Sequence, residues 1–364
     1  MEQRIGMKKD IKSLSLAELE SDLEKLGVKS FRAKQIYQWL HQKQVTSFDQ
    51  MTNLSKELRE QCRQIYELPI LEAVEIKTSA IDGTQKYLFQ LADGNVIESV
   101  LMKYKHGNSV CISSQVGCRM GCRFCASTLD GLERGLKPSE MLEQIYRISQ
   151  ISKERVSHVV IMGTGEPMDN YDSVLKFLSL LTDQDGLLIS QRNITLSTCG
   201  LVPEIRKLAQ EHLQITLALS LHAPNNIIRE RLMPVANRYS IEEVLEACWY
   251  YFQETGRRIS FEYSLVRGVN DRKEHAAELA KRLRGRNCHV NLIPVNPIKE
   301  RDFRQTRQAE VLEFKKVLEK NGINVTIRRE MGGDIDGACG QLRKSYHNEQ
   351  KKENETCRCM DKQI

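Results

Sequence analysis

Three cysteines stand at the spacing C-x3-C-x2-C in the segment GCRMGCRFCAS, as Cys118, Cys122 and Cys125. Thiolates this close together point to metal ligation, but the spacing is too tight and uneven for a structural zinc site, which takes four ligands in two pairs. No fourth ligand lies nearby in the sequence. Three thiolates can hold three corners of a 4Fe-4S cluster and leave one iron open, whereas electron-carrier clusters use four cysteines. An open iron can chelate a substrate, and that chemistry is the expectation for this loop. The chain has eleven cysteines in all. Its N-terminal stretch has no apolar run long enough for a signal segment and no later stretch approaches a membrane span, so a cytoplasmic location without a membrane partner is expected. In a reducing compartment clustered cysteines read as metal ligands and isolated ones as packing or reactive thiols. Cys357 and Cys359 read as a loose pair of exposed thiols.

The elements that must position the loop follow from the apolar periodicity. The loop comes directly after the strand pattern VCISSQ, and beyond it strands alternate with helices. HVVIMG, ITLS, ITLALSL, ISFEYSLV and HVNLIPV read as strands, and helical patterns lie near 138–152, 171–181, 203–212, 241–255 and 275–283. A last helix near 308–321 leads into INVTIRR. This alternation predicts an α/β fold with a parallel sheet and right-handed crossovers. Six such units suit an incomplete (β/α)6 barrel better than a closed eight-unit barrel, with a doubly wound open sheet as the alternative.

Upstream, residues 12–67 read as three short helices, the first opened by a capping-box pattern at Ser15 and Glu18 and stopped at Gly27. From Glu72 the period changes to that of strands. KYLFQL and NVIESVLM flank Asp93 and Gly94, a hairpin signature. The expected organisation is a small N-terminal helical module at 1–70, a β-hairpin linker at 71–103, a barrel core at 104–345 and a flexible tail at 346–364. Polar residues gather where the core strands end: Gly165 and Glu166, Ser197, Ser220 with His222, and Asn296 with Pro297. Ligands bind at the C-terminal strand ends of parallel α/β folds, so these residues are expected to face one site.

The cysteine loop is similar to the signature of the radical S-adenosylmethionine (SAM) superfamily, in which the open iron binds the amino and carboxylate groups of SAM. Around it, NSVCISSQVGCRMGCRFCAS, VVIMGTGEPMDN, ITLSTCGLVP, LALSLHAPN, HVNLIPVNP and VTIRREMGGDIDGACGQL resemble the RlmN and Cfr family of rRNA methyltransferases over nearly the whole chain. GTGEPMDN and SSQVGC resemble the RlmN branch, which methylates carbon 2 of adenine, whereas Cfr methylates carbon 8. The resemblance implies a radical SAM barrel, a 4Fe-4S cluster on Cys118, Cys122 and Cys125, and two SAM molecules per turnover. It also implies a helical module that binds RNA, 23S rRNA and tRNA as substrates, a flavodoxin- or ferredoxin-type electron donor, and a monomer.

Residue by residue, the resemblance assigns Cys339, within GACGQL, as the thiol that first accepts a methyl group from SAM. Gly337 and Gly340 beside it permit close backbone approach. Cys111 matches the second catalytic cysteine, which releases product by forming a disulfide, and Glu98 matches the proton acceptor. Gly165, Glu166, Ser197, Ser220, Leu221, His222 and Asn296 match SAM contacts, although His222 also fits a satisfied core histidine. Cys199 stands where the family has serine and reads as a small packing substitution. The net charge of +6 is mild and compatible with a polyanionic partner without identifying one. Lys103, Lys105, Arg119, Arg123 and Arg134 are the basic residues expected near the mouth, as phosphate contacts or an ordinary solvated face. Two other functions fit the same residues: carbon-8 methylation of the Cfr kind, and a non-catalytic iron-sulfur RNA-binding protein that senses redox state through Cys111 and Cys339.

Overall fold

Helices α1 (Leu16–Glu24), α2 (Ser30–His41) and α3 (Lys56–Ile65) open the chain. The computed structural model describes residues 8–296, 302–335, 342, 343 and 346. The expected capping box starts α1: Ser15 Oγ accepts from the Glu18 N–H at 3.3 Å, and the Ser15 N–H donates to Glu18 Oε2 at 2.7 Å. This helical module is tied to the rest through buried polar contacts. Lys12, fully buried, pairs with Glu143 and donates to the Pro69 carbonyl at 3.0 Å, while His41 Nδ1 meets the Tyr146 hydroxyl at 2.8 Å. A buried ion pair holds only if both partners stay, so these contacts fix the module's placement.

Ten strands then form one sheet: β1 (Glu72–Thr78), β2 (Gln85–Gln90), β3 (Val96–Tyr104), β4 (Gly107–Ile112), β5 (Val156–Ile161), β6 (Ile194–Thr198), β7 (Thr216–Ser220), β8 (Ile259–Leu265), β9 (Cys288–Pro294) and β10 (Asn324–Ile327). They lie side by side in sequence order. From β4 to β10 each neighbouring pair is parallel. A doubly wound sheet reverses its strand order at a switch point, and no reversal occurs here, so the parallel run is that of an incomplete barrel. INVTIRR supplies β10, a seventh parallel strand beyond the six units. The hairpin segment joins the barrel sheet: β1, β2 and β3 extend it in antiparallel fashion from β4.

Seven further helices with full bounds among the described residues alternate with these strands: α4 (Pro138–Ser152), α5 (Tyr171–Thr182), α6 (Val202–Gln210), α7 (Asn226–Leu232), α8 (Ile241–Thr255), α9 (Lys273–Leu283) and α10 (Gln308–Lys320). All but α7 lie where periodicity places helices. The strands alternate so that Leu196, Leu217, Leu219, Phe261 and Tyr263 pack in the core, while Ser197, Ser220, Glu262 and Ser264 turn to the barrel interior. The core of the helical module is continuous with that of the barrel.

Candidate active site at the strand ends

The loop that carries the three cysteines leaves β4 through a short antiparallel ribbon, Gln115–Gly117 against Leu132–Gly135, which closes both its ends. Gly117 makes the closure possible. Its φ is +77°, and a Cβ there would stand 2.0 Å from the Gly131 carbonyl oxygen, so no other residue fits without moving the loop. Inside the loop Thr128 Oγ1 donates to the carbonyls of Cys122 and Cys125 at 3.1 and 3.0 Å, and the Arg123 N–H donates to the Leu232 carbonyl at the end of α7. We expect Gly117→Ala to lower stability by more than about 1 kcal/mol, the scale of a strained positive-φ substitution, and to reduce retained iron. Chemical denaturation and iron analysis of the purified variant check both effects.

Cys118, Cys122 and Cys125 line one cavity of about 350 Å³ at the C-terminal ends of the parallel strands. Burial pushes the Cys118 thiol up to about 12 and the Cys122 thiol well above its ordinary value, and the neighbouring Cys125 thiolate raises both. Metal binding therefore has to displace protons here. Among the described residues no three His, Cys, Asp or Glu side chains converge on one metal ion. The three thiols that line one cavity are the donor set of a 4Fe-4S cluster with one open iron, in which each thiolate would hold a different iron.

Gly165, Glu166, Ser197, Ser220, His222 and Asn296 line the same cavity. Gly165, at φ +117°, lies against Ser114 and Gln115, where a Cβ would meet the Gln115 N at 2.8 Å. The Gln115 side chain accepts from the Glu166 N–H at 2.8 Å, so the loop after β5 is pinned to the residues leading into the cysteine ribbon. Glu166 is buried, and burial raises its carboxyl pKa even though its oxygens accept from the Cys199 N–H at 2.7 Å and the Met168 N–H at 3.1 Å. His222 Nδ1 accepts from the Ser264 N–H at 2.8 Å, and its ring packs edge-on against Phe124 beside Cys125. Burial, with the nearby Arg229 cation, lowers its pKa to about 3, so the ring is neutral. Leu221 differs from its neighbours. Its side chain packs in the core, and only its backbone belongs to the strand end.

Cys111, on β4, lies opposite Val100 of β3 and beside Val160 of β5. It lines the cavity within an apolar patch of Val100, Met102, Val160, Met162 and Met331. Glu98 stands two residues before Val100 on the same face of β3, just beyond the cavity wall. It is buried, pairs with the fully buried Lys86 at 3.2 Å and accepts from the Arg343 N–H. Cys339, Gly337, Gly340, Pro297, Cys357 and Cys359 lie outside the described residues.

Sequence reasoning missed Glu262. It lines the cavity, Asn291 donates to it at 2.9 Å, and Thr326 donates to Asn291 at 3.1 Å, an interior polar row across β8, β9 and β10. Burial raises the Glu262 pKa, opposed by Arg328 and Asn291. The strict alternation of Ser260, Glu262 and Ser264 with apolar residues was the available signal. Cys199, read as packing, also lines the cavity. The basic residues divide. Lys103 and Lys105 flank the β3–β4 turn, at the N-terminal end of β4 rather than at the strands' C-terminal ends, and Lys103 pairs with Glu154 at 2.9 Å. Arg134 is held by Asp93 at 2.6 Å and Glu140 at 2.8 Å, which makes it a brace between β-turn and α4. Arg119, paired with Asp169, and Arg123 are exposed on the cysteine loop itself.

Comparison with known proteins adds independent findings. Residues 9–68 match the ribosomal RNA large subunit methyltransferase N-terminal domain, and residues 112–280 match the radical SAM superfamily. A protein of Lachnospira eligens, described as a probable dual-specificity RNA methyltransferase RlmN, is 65% identical over 337 residues, covering 93% of this chain and 96% of that protein. One of Lachnoclostridium phytofermentans with the same description is 64% identical over 344 residues, covering 94% and 97%. The crystal structure of a radical SAM methyltransferase from Sphaerobacter thermophilus superposes with a TM-score of 0.88 at 42% identity, covering 92% of this chain and 98% of that one. No described helix is long and apolar enough to cross a membrane.

Proposed function

The chain belongs to the RlmN family of radical SAM RNA methyltransferases, and from that premise we propose that it methylates carbon 2 of adenine in 23S rRNA and in some tRNAs. As a member it is a SAM-dependent enzyme whose cofactors are a 4Fe-4S cluster and SAM. That sets aside the non-catalytic redox-sensor reading. The observation carrying the proposal is convergence: the three loop cysteines, Cys111 and six of the seven SAM-side residues line one cavity.

When bound, the cluster and SAM would supply one-electron chemistry able to abstract a hydrogen atom from a methyl group, which side chains lack. The chain's own residues place and move the methyl carbon. Carbon 2 lies between two ring nitrogens and is electrophilic, so it cannot attack a sulfonium methyl. The Cys339 thiolate can, and it takes the methyl group first. After hydrogen abstraction from the S-methyl group the methylene carbon adds to adenine; the adduct radical would return one electron to the bound cluster, and Glu98, held by Lys86, accepts the carbon-2 proton. The Cys111 thiolate then attacks the Cys339 sulfur, forming a disulfide as the sulfur–methylene bond breaks, and the leaving methylene carbon takes up a proton to become the methyl group of the modified base. Glu166, Ser197, Ser220, neutral His222 and Asn296, with the backbone at Gly165 and Leu221, present hydrogen-bonding groups to SAM. A flavodoxin- or ferredoxin-type protein delivers the electron. The target base has to leave its stack to enter the cavity, which favours RNA loops over duplex.

The test is chemical. Reconstituted enzyme incubated anaerobically with SAM, reductant and unmodified rRNA or tRNA, followed by nucleoside digestion and mass spectrometry, is expected to yield 2-methyladenosine. 8-Methyladenosine in its place would move the enzyme to the Cfr branch, and neither product would overturn the proposal.

A further inference from the structure

Three cations among the described residues are fully buried: Lys12, Lys86 and Arg229. Lys12 pairs with Glu143 and Lys86 with Glu98. Arg229 has no carboxylate partner among the described residues. Its guanidinium donates to two backbone carbonyls, Cys199 at 2.7 Å and Tyr239 at 3.2 Å, and its Nε has no hydrogen-bond partner. A cation in that setting lacks the countercharge that makes such burial tolerable. The ionisable groups that face it are the thiols of Cys199, Cys122 and Cys248, with neutral His222 on another side.

Arg229 sits on α7, and α7 is bound to the cysteine loop. The Arg123 N–H donates to the Leu232 carbonyl at 2.9 Å, and Pro234, just past the helix, packs over Gly121. The helix thus carries its buried cation next to the cysteine loop, on the side of Cys122. A 4Fe-4S core with three thiolates is anionic and becomes more so on reduction, and nearby charge is one of the levers that set such potentials. We infer that Arg229 is the countercharge of the cluster, a positioning residue that secures the cluster's anion in the core and makes it easier to reduce. The inference rests on the assignment of the cluster to Cys118, Cys122 and Cys125. Its second consequence concerns the iron-free protein, where the buried Arg229 has no cluster to compensate its charge.

The experiment uses the full chain, reconstituted anaerobically, as wild type, Arg229→Lys, Arg229→Gln and Cys122→Ala. Redox titration followed by electron paramagnetic resonance gives the cluster potential, and thermal melting of iron-free and loaded protein gives stability. Arg229→Gln is expected to shift the reduction equilibrium at least tenfold towards the oxidised cluster, about 59 mV for one electron. Arg229→Lys, which keeps the charge, should stay near wild type. Iron-free Arg229→Gln should melt no lower than iron-free wild type, because it removes a buried unpaired cation. An unchanged potential in Arg229→Gln, an equal shift in Arg229→Lys, or failure of iron-free Arg229→Gln to fold would each overturn the inference and leave the guanidinium a purely structural brace. A full cluster signal in Cys122→Ala would instead show that the cluster assignment is at fault.

Discussion

Alanine at Cys118, Cys122 or Cys125 is expected to abolish the cluster's visible absorption and SAM cleavage together, while leaving the protein folded. Each thiolate holds one iron corner, so losing any of them opens a second iron and the cluster falls away. Contacts within the chain hold the loop's shape. Its ends are closed by the ribbon of Gln115–Gly117 and Leu132–Gly135, and its interior by Thr128 and by the Arg123 bond to Leu232. Circular dichroism should therefore match wild type while iron content and 5′-deoxyadenosine production fall to background. Retained SAM cleavage in any one of the three variants would count decisively against the assignment.

How far the sequence alone reaches depends on whether the signal is local. The cysteine spacing, the capping box at Ser15 and Glu18, and the apolar strands are all encoded within a few residues, and each appears where it was expected. Helix α7 was not legible because NIIRERL is only seven residues long and too short for its period to show. With it went Arg229, since nothing in the sequence separates one buried arginine from the exposed ones around it. Partners distant in sequence hid two more features. Arg134 reads as a phosphate contact or a solvated residue until Asp93 and Glu140 are brought beside it, and the pairing of Lys86 with Glu98 joins two strands across a turn. The merging of the hairpin with the barrel sheet is equally non-local, because the pairing of β3 with β4 that joins them looks, in sequence, like any other turn.

Cys111→Ala is expected to halt the enzyme after chemistry has begun, with protein and RNA covalently joined. In the proposed mechanism, methyl transfer to Cys339, hydrogen abstraction and addition to adenine use no atom of the Cys111 side chain, so each should proceed. Release alone fails. The bond between the Cys339 sulfur and the new methylene carbon has no route to break without a thiolate to attack that sulfur. The position of Cys111 suits a resolving thiol: it lines the cavity from β4 within a patch of Val100, Met102, Val160, Met162 and Met331, sheltered from bulk solvent but open to the site. Such a change from thiol to methyl removes little volume from that patch, so the fold should hold. On denaturing gels, protein incubated anaerobically with SAM, reductant and labelled RNA should show a band that survives boiling. The band should be missing from the Cys111→Ala, Cys339→Ala double variant, which has no acceptor sulfur. Normal turnover by Cys111→Ala, or inactivity without any adduct while the cluster and SAM cleavage remain intact, would reduce Cys111 to a packing residue of the cavity wall.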